Sequence, residues 1–314
     1  MTRLDTTTLR YFVRVIETGT IAAAAEREHL TAAAISKRLS ELEELIGLPL
    51  LMRNNKGVIP TEEGSALLLL ARRALNELDQ IPTQIQNYRN GVRGLVRIWA
   101  STSATTQFLP AQVRSFLDKY PDVQVMVEEE SSTKAIRAVT ENAADIGIFV
   151  NAPQVLSLKT FPYKEDRLAA IVSIRHPAAD RNEVNFSELL DNDFIGFSSD
   201  GAIHHSLARA ASECRKTIKQ RIQVNTFESL SLMVSESLGI GVLPESVAQR
   251  NMSIFPIKAI SLRDAWAQRS FQIGVRSVAT LPQAARLMLE HLRGEEAYSS
   301  RPHHTENAQF AAPD

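Results

Sequence analysis

The chain has 314 residues, a formal net charge of -1, 44% hydrophobic residues, 23% charged residues and 6% aromatics. That length suits two or three domains with a sizeable core, and the near-neutral balance excludes binding to nucleic acid through bulk positive charge. A single cysteine, Cys214, excludes an intramolecular disulfide; the start lacks the apolar core of an export signal, and no apolar run approaches the ~20 residues of a membrane helix, so a cytoplasmic protein is expected.

Leu9, Phe12, Val13 and Ile16 mark a first helix, ending near Gly19 as its C-cap. Thr20 suits the N-cap of a second helix that runs from Ile21 to about Glu28, with Ile21, Ala24 and Ala25 facing inward. His29-Leu30 makes the turn, and Thr31 caps a third helix on which Ile35, Leu39, Leu42 and Ile46 recur on one face. Ala33, Ser36, Lys37 and Ser40 lie opposite that stripe. A helix with an apolar back and a small, hydroxyl and cationic front suits the major groove, and this spacing reads as a helix-turn-helix. Residues 1–60 balance to only +1, so the placement of charge matters more than its sum. Leu50 to Arg53 and Val58 to Pro60 flank Asn54-Asn-Lys-Gly57, a short hairpin wing that would bring Arg53 and Lys56 to phosphates. Thr61-Glu-Glu opens a long helix through Ala66–Ala71, Leu75, Leu78, Ile81 and Ile85; its apolar surface should pack on a copy of itself, and Pro82 should kink or weaken its last turns.

Beyond the linker, residues 90–94, strands and helices alternate as in α/β units. The pattern predicts a strand at 95–100, a polar loop at 101–106, a helix at 108–120, a strand at 123–127, a helix at 134–142 and a strand at 145–150. A crossover strand at 167–173 leads to a second subdomain with a strand at 194–197, a helix at 204–219, a strand at 222–224 and a helix at 226–237, then Gly239 to Pro244. A strand at 271–276 and a helix at 281–292 return to the first subdomain, and residues 294–314 read as a disordered tail.

Taken together, Leu9-Arg-Tyr-Phe-Val, Thr20-Ile-Ala-Ala-Ala-Ala-Glu, Ile35-Ser36, Leu42-Glu-Glu, Gly47-Leu-Pro-Leu-Leu, Arg53 and Pro60-Thr-Glu-Glu-Gly64 resemble the LysR-type transcriptional regulators. Asp145-Ile-Gly-Ile and Leu238-Gly-Ile-Gly-Val-Leu-Pro-Glu-Ser246 are weaker echoes. The resemblance implies a winged helix-turn-helix over 1–60, a dimerising linker helix over 61–90 and an effector-binding domain over 91–293 that resembles periplasmic binding proteins. That domain divides into subdomain I (95–162 and 268–293) and subdomain II (163–267), a combination of α and α/β architecture. It also implies a homodimer assembling to a homotetramer on double-stranded DNA, a small-molecule effector, and contact with RNA polymerase. Ala32 and Ala33 stand where family members commonly carry Gln-Pro, so apolar contact with thymine methyls is expected in place of a bidentate amide–adenine bond. The expected DNA-facing set is Thr20, Thr31, Ala32, Ala33, Ser36, Lys37, Arg38, Arg53 and Lys56.

The effector cleft is expected outside the carboxyl ends of strands, between the subdomains. Three polar loops would converge there and favour an organic anion, through Ser101, Thr102, Ser103, Ser132, Phe197, Ser198, Ser199, Thr226 and Phe227. The competing reading of the hydroxyls is that they only cap their helices. His204-His205 points two ways from one helix and lacks a carboxylate at ligand spacing, and no acid–base pair, nucleophile or phosphate loop stands out, so neither a metal, a cofactor nor an enzyme is expected. The alternative class is a small-molecule binding module without regulated DNA binding. Retention on a DNA column separates the two.

Overall fold

The computed structural model describes residues 4–54, 57–87, 92–150, 158–199 and 201–294. Helices α1 (Thr6–Thr18), α2 (Ile21–Arg27) and α3 (Ala32–Ile46) are followed by β1 (Leu51–Asn54), β2 (Gly57–Pro60) and α4 (Glu62–Asn87). Phe12, Val15, Ala24, Ala25, Ile35, Leu39 and Leu42 close a three-helix core, to which Leu50, Leu51 and Val58 add the hairpin. Ile46, expected on the inward stripe, is instead 40% exposed. Gly47 ends α3 in a left-handed turn, and Leu50 folds back to occupy the core, its amide bonded to the Glu43 carboxylate at 2.8 Å. The hairpin is pinned to α1: Val58 N–H donates to Gly19 O at 2.7 Å, and a Cβ on Gly57 would sit 2.3 Å from that oxygen, a position that only glycine can take.

Helix α4 begins behind Thr61, whose hydroxyl accepts from Gly64 N–H at 2.9 Å. Ala71 and Leu75 bury one stripe against Leu9 of α1, while Leu70, Leu78 and Ile81 remain exposed on another. The helix is continuous through Pro82 to Asn87. Proline removes a single N–H bond there, and five residues of helix follow it.

The second half contains β3 (Gly94–Ala100), α5 (Thr102–Gln107), α6 (Leu109–Lys119), β4 (Val123–Glu129), α7 (Ser132–Thr140), β5 (Ile146–Val150) and β6 (Lys159–Ser173). It continues with β7 (Glu183–Val184), α8 (Phe186–Leu189), β8 (Asp193–Gly196), α9 (Ala202–Glu213), β9 (Lys219–Gln223), α10 (Phe227–Ser235) and β10 (Gly241–Pro244). Finally come α11 (Glu245–Asn251), β11 (Ile257–Leu262), β12 (Gln268–Val275) and α12 (Gln283–Arg293). The main sheet is ordered β4-β3-β5-β12-β6-β11-β7, with β10 also paired to β6. Strand β3 runs parallel to β4 and β5, whereas β12 is antiparallel to β5 and β6. Strand β6 joins two subdomains: up to Arg167 it pairs with β12, and from Leu168 with β10 and β11. It thus runs unbroken through the 162/163 boundary expected from the sequence. Each subdomain has its own core.

Several local expectations are corrected. Residues 102–107 form helix α5 rather than a polar loop; the hydroxyls of Thr105 and Thr106 that read as loop polarity instead donate to the carbonyls of Ser101 and Thr102 within the helix. The helix expected over 204–219 ends at Glu213: Arg215 turns left-handed at φ 56°, and Lys219 already belongs to β9. Cys214 is therefore an exposed C-cap, not a packed mid-helix residue. Helix α11 and strand β11 were not anticipated. Residues 295–314, the expected tail, lie outside the described residues.

Candidate DNA-facing helix and effector cavity

Thr20 and Thr31 accept from the amides of Ala23 and Ala34, at 3.1 and 3.2 Å, and so start α2 and α3 as N-caps. Ala32, Ala33 and Lys37 lie on the exposed front of α3, with Lys37 80% exposed and 3.9 Å from Glu41 one turn later. Arg53 reaches from the wing to Ser36, its Nη1 donating to the Ser36 hydroxyl at 3.3 Å. Arg38 turns inward, donating to the Thr8 hydroxyl and lying 3.5 Å from Asp5 with its guanidinium over Tyr11. Lys56 lies outside the described residues. Glu43, late on α3, locks that helix to the wing by accepting from the Leu50 and Leu51 amides.

A cavity of about 400 Å³ opens between the subdomains. From one side it is lined by Ser101, Thr102, Ser103, Ser131, Ser132 and Val150, and from the other by Phe197, Ser198, Ile203, Val224, Asn225 and Phe227. Of the expected residues, Ser199 and Thr226 are not in this lining. Thr226 instead caps α10, accepting from Ser229 N–H at 3.0 Å. Arg269, Glu129, Glu130 and Lys134, which no motif in the sequence marks, also line it. Arg269 is 1% exposed, and its Nε donates to Asp166 at 2.8 Å while Nη2 donates to the Ser103 hydroxyl at 3.1 Å. Its Nη1 and the Ser101 hydroxyl are buried with no hydrogen-bond partner among the described residues. Helices α5, α7 and α9 all begin here, and none carries a side-chain cap. The Ser132 hydroxyl turns away from its own helix to accept from Val150 N–H at 3.2 Å. Open amides at the starts of α7 and α9 and a buried guanidinium supply donors to the cavity, while Glu129 and Glu130 supply carboxylate acceptors. His204 and His205 have rings 6.2 Å apart and nearly perpendicular, and no cluster of potential metal ligands occurs among the described residues.

Residues 6–65 match the family described as bacterial regulatory helix-turn-helix protein, lysR family, and residues 89–297 match the LysR substrate binding domain. The chain belongs to the LysR family of transcriptional regulators. The uncharacterized HTH-type transcriptional regulator YwbI of Bacillus subtilis is 28% identical over 92% of this chain and 96% of its own length. The transcriptional dual regulator GltC of the same species is 25% identical over 80% and 84%. Among solved structures, the LysR family regulator CbnR aligns over 93% of this chain and 99% of its own with a TM-score of 0.67 at 18% identity. The effector binding domain of QuiR in complex with shikimate aligns over 65% and 97%, with a TM-score of 0.59 at 14% identity. These relatives are regulators, not enzymes, and no described helix is long and apolar enough to cross a membrane.

In this LysR regulator, helix α7 links the cavity to the amino-terminal domain. Its first residues line the cavity, and its last carbonyls are held by α4: Arg73 Nε donates to Thr140 O at 2.8 Å and Asn76 Nδ2 to Glu141 O at 2.9 Å. Arg72 bridges onward, meeting the Glu141 and Glu17 carboxylates, both at 3.2 Å. Cationic groups at the C-terminal end of α7 also suit its dipole. Arg276 adds a second tie, donating at 2.8 Å to both Glu77 and Asn142.

Proposed function

We propose that this regulator responds to a small organic acid bound between its effector subdomains. Its carboxylate would be met by Ser101, Thr102, Ser103 and Ser132, with Ser198, Phe197 and Phe227 closing the apolar side. The buried Arg269 Nη1 and Ser101 hydroxyl, both without partners among the described residues, carry this reading. A buried polar group left unpaired costs about 1–3 kcal/mol, which a ligand oxygen recovers. The shikimate bound by QuiR is a carboxylate of suitable size. On the DNA side, Ala32, Ala33, Ser36, Lys37 and Arg53 form the reading surface, as suits a fold shared with CbnR in complex with its target DNA. Arg38 is assigned to holding α3 on α1. The domains are taken as 1–60 for DNA, 61–90 for dimerisation and 91–293 for effector.

The exposed stripe of Leu70, Leu78 and Ile81 supports pairing of α4 with a second copy, and pairs of dimers would form the homotetramer. Effector binding then shifts α7 against α4, changes the angle between dimers and so DNA bend and polymerase contact. Calorimetry against a panel of small carboxylic acids, with footprinting in the presence of any that bind, tests this. Binding that Thr102→Ala and Ser132→Ala leave unchanged removes the assigned site, and an unaltered footprint removes the coupling.

A further inference from the structure

The charge around the cavity narrows the ligand further, resting on the carboxylate reading above. Both cations of the lining already face a protein carboxylate: Lys134 Nζ lies 2.8 Å from Glu130, and Arg269 is paired with Asp166. Glu129 also lines the cavity, and its carboxylate has no ion-pair or hydrogen-bond partner among the described residues. The local balance is therefore two cations against Glu129, Glu130 and Asp166. A simple anion would meet a wall with one negative charge in excess, and the donors at the floor would have to offset that repulsion.

Glu129 stands close to those donors. It pairs in register with Ala100, the residue before Ser101, and Glu130 N–H donates to Ala100 O at 2.9 Å. Neighbouring strands are ~4.8 Å apart, so a carboxylate acceptor and the carboxylate-binding floor lie within the span of one small molecule. The opposite wall is apolar: Phe197 and Phe227 meet edge to face at 5.4 Å, beside Ile203 and Val224. We infer that the effector is a short zwitterion with an apolar side chain, of the α-amino acid type. Its carboxylate sits at Ser101 and Arg269, its ammonium donates to Glu129, and its side chain lies against Phe197 and Phe227. Such a ligand is neutral overall, so it adds nothing to the negative excess of the wall, and it carries its two charges on neighbouring atoms, as the neighbouring strand positions of Ala100 and Glu129 suit.

Calorimetry on the full-length protein with matched pairs tests this: L-phenylalanine against 3-phenylpropanoate, and L-leucine against 4-methylpentanoate. The amino acid of at least one pair should bind about tenfold tighter than its des-amino partner. Glu129→Gln, an exposed position at the end of an edge strand, should remove that difference and leave the affinity of the des-amino acid unchanged or higher. Des-amino acids that bind as well as or better than the amino acids overturn the zwitterion while leaving the carboxylate site standing. An amino-acid preference that survives Glu129→Gln overturns the role of Glu129. Failure of all four compounds to bind, with a well-folded protein by thermal melting, overturns the inference and counts against the carboxylate reading as well.

Discussion

Asp5, Thr20, Thr31 and Thr61 each turn a side-chain oxygen onto a backbone N–H, closing the starts of α1, α2, α3 and α4. At the cavity, Ser101, Ser131 and Gly201 hold the same extended backbone before α5, α7 and α9, yet no side chain caps those helices. The amino-terminal domain satisfies its own amides and presents a finished surface to DNA. The effector domain leaves amides open beside its cavity. A closed cap contributes about 1 kcal/mol to folding, and an open one keeps that interaction available for binding. The same serine and threonine chemistry closes helix starts in the amino-terminal domain and at Thr226 before α10, but not at Ser101 or Ser131 beside the cavity.

Four substitutions break or sharpen that contrast. Arg269→Met should act most strongly, because Asp166 would remain buried with its charge uncompensated; a loss of about 3–5 kcal/mol in urea denaturation is expected. Ser131→Asp installs at α7 the kind of cap that Asp5 supplies to α1. It should raise stability by about 1 kcal/mol while weakening carboxylate binding at least tenfold, a pairing of opposite signs that melting and calorimetry read together. Increased stability with unchanged ligand affinity would show that the open end of α7 is not a binding feature. On the DNA side, Lys37→Ala should flatten the dependence of log K on log salt by about one unit if it meets a phosphate, without altering ligand affinity.

Asp5→Ala is the smallest change, about 1 kcal/mol from a lost cap. Hydrogen bonds from the Thr8 hydroxyl and amide hold the Asp5 carboxyl below its ordinary value, with Arg38 adding to the shift. The stabilisation from Asp5 is therefore complete above the unfolded carboxylate pKa and lost as pH falls through the lower folded value. The variant should match the wild type at pH values below that range and fall behind it at neutral pH. An equal gap at every pH would assign the effect of Asp5 to packing instead.

The helix-turn-helix was legible because its information is local. Thr20 and Thr31 as caps, Gly19 and Gly47 as left-handed stops, and Ile35, Leu39 and Leu42 as a buried stripe all act within a few turns. The cavity was half legible for the same reason: Ser101, Thr102, Ser103, Ser132, Phe197, Ser198 and Phe227 lie at strand ends before helices, where an α/β fold places its ligand. Ser199 and Thr226 lie outside the cavity lining, and for Thr226 the reason is local: its hydroxyl caps α10, which a hydroxyl before a helix can do without any sign in the sequence. Arg269 was missed because an arginine between Gln268 and Ser270 reads as a solvated strand residue. Its burial depends on Asp166, 103 residues earlier in sequence.

The sequence by itself determined the two-part plan, the reading helix, the alternation of strands and helices, and the family. Tertiary structure alone decided which hydroxyls are free for a ligand, which cations are already paired, and how α7 joins the cavity to Arg72 and Glu17. Those properties arise from charges and hydrogen bonds between distant segments. Periodicity and capping rules record only what a residue does to its near neighbours, so the pairing that leaves Glu129 without a partner among the described residues becomes visible once the strands stand side by side.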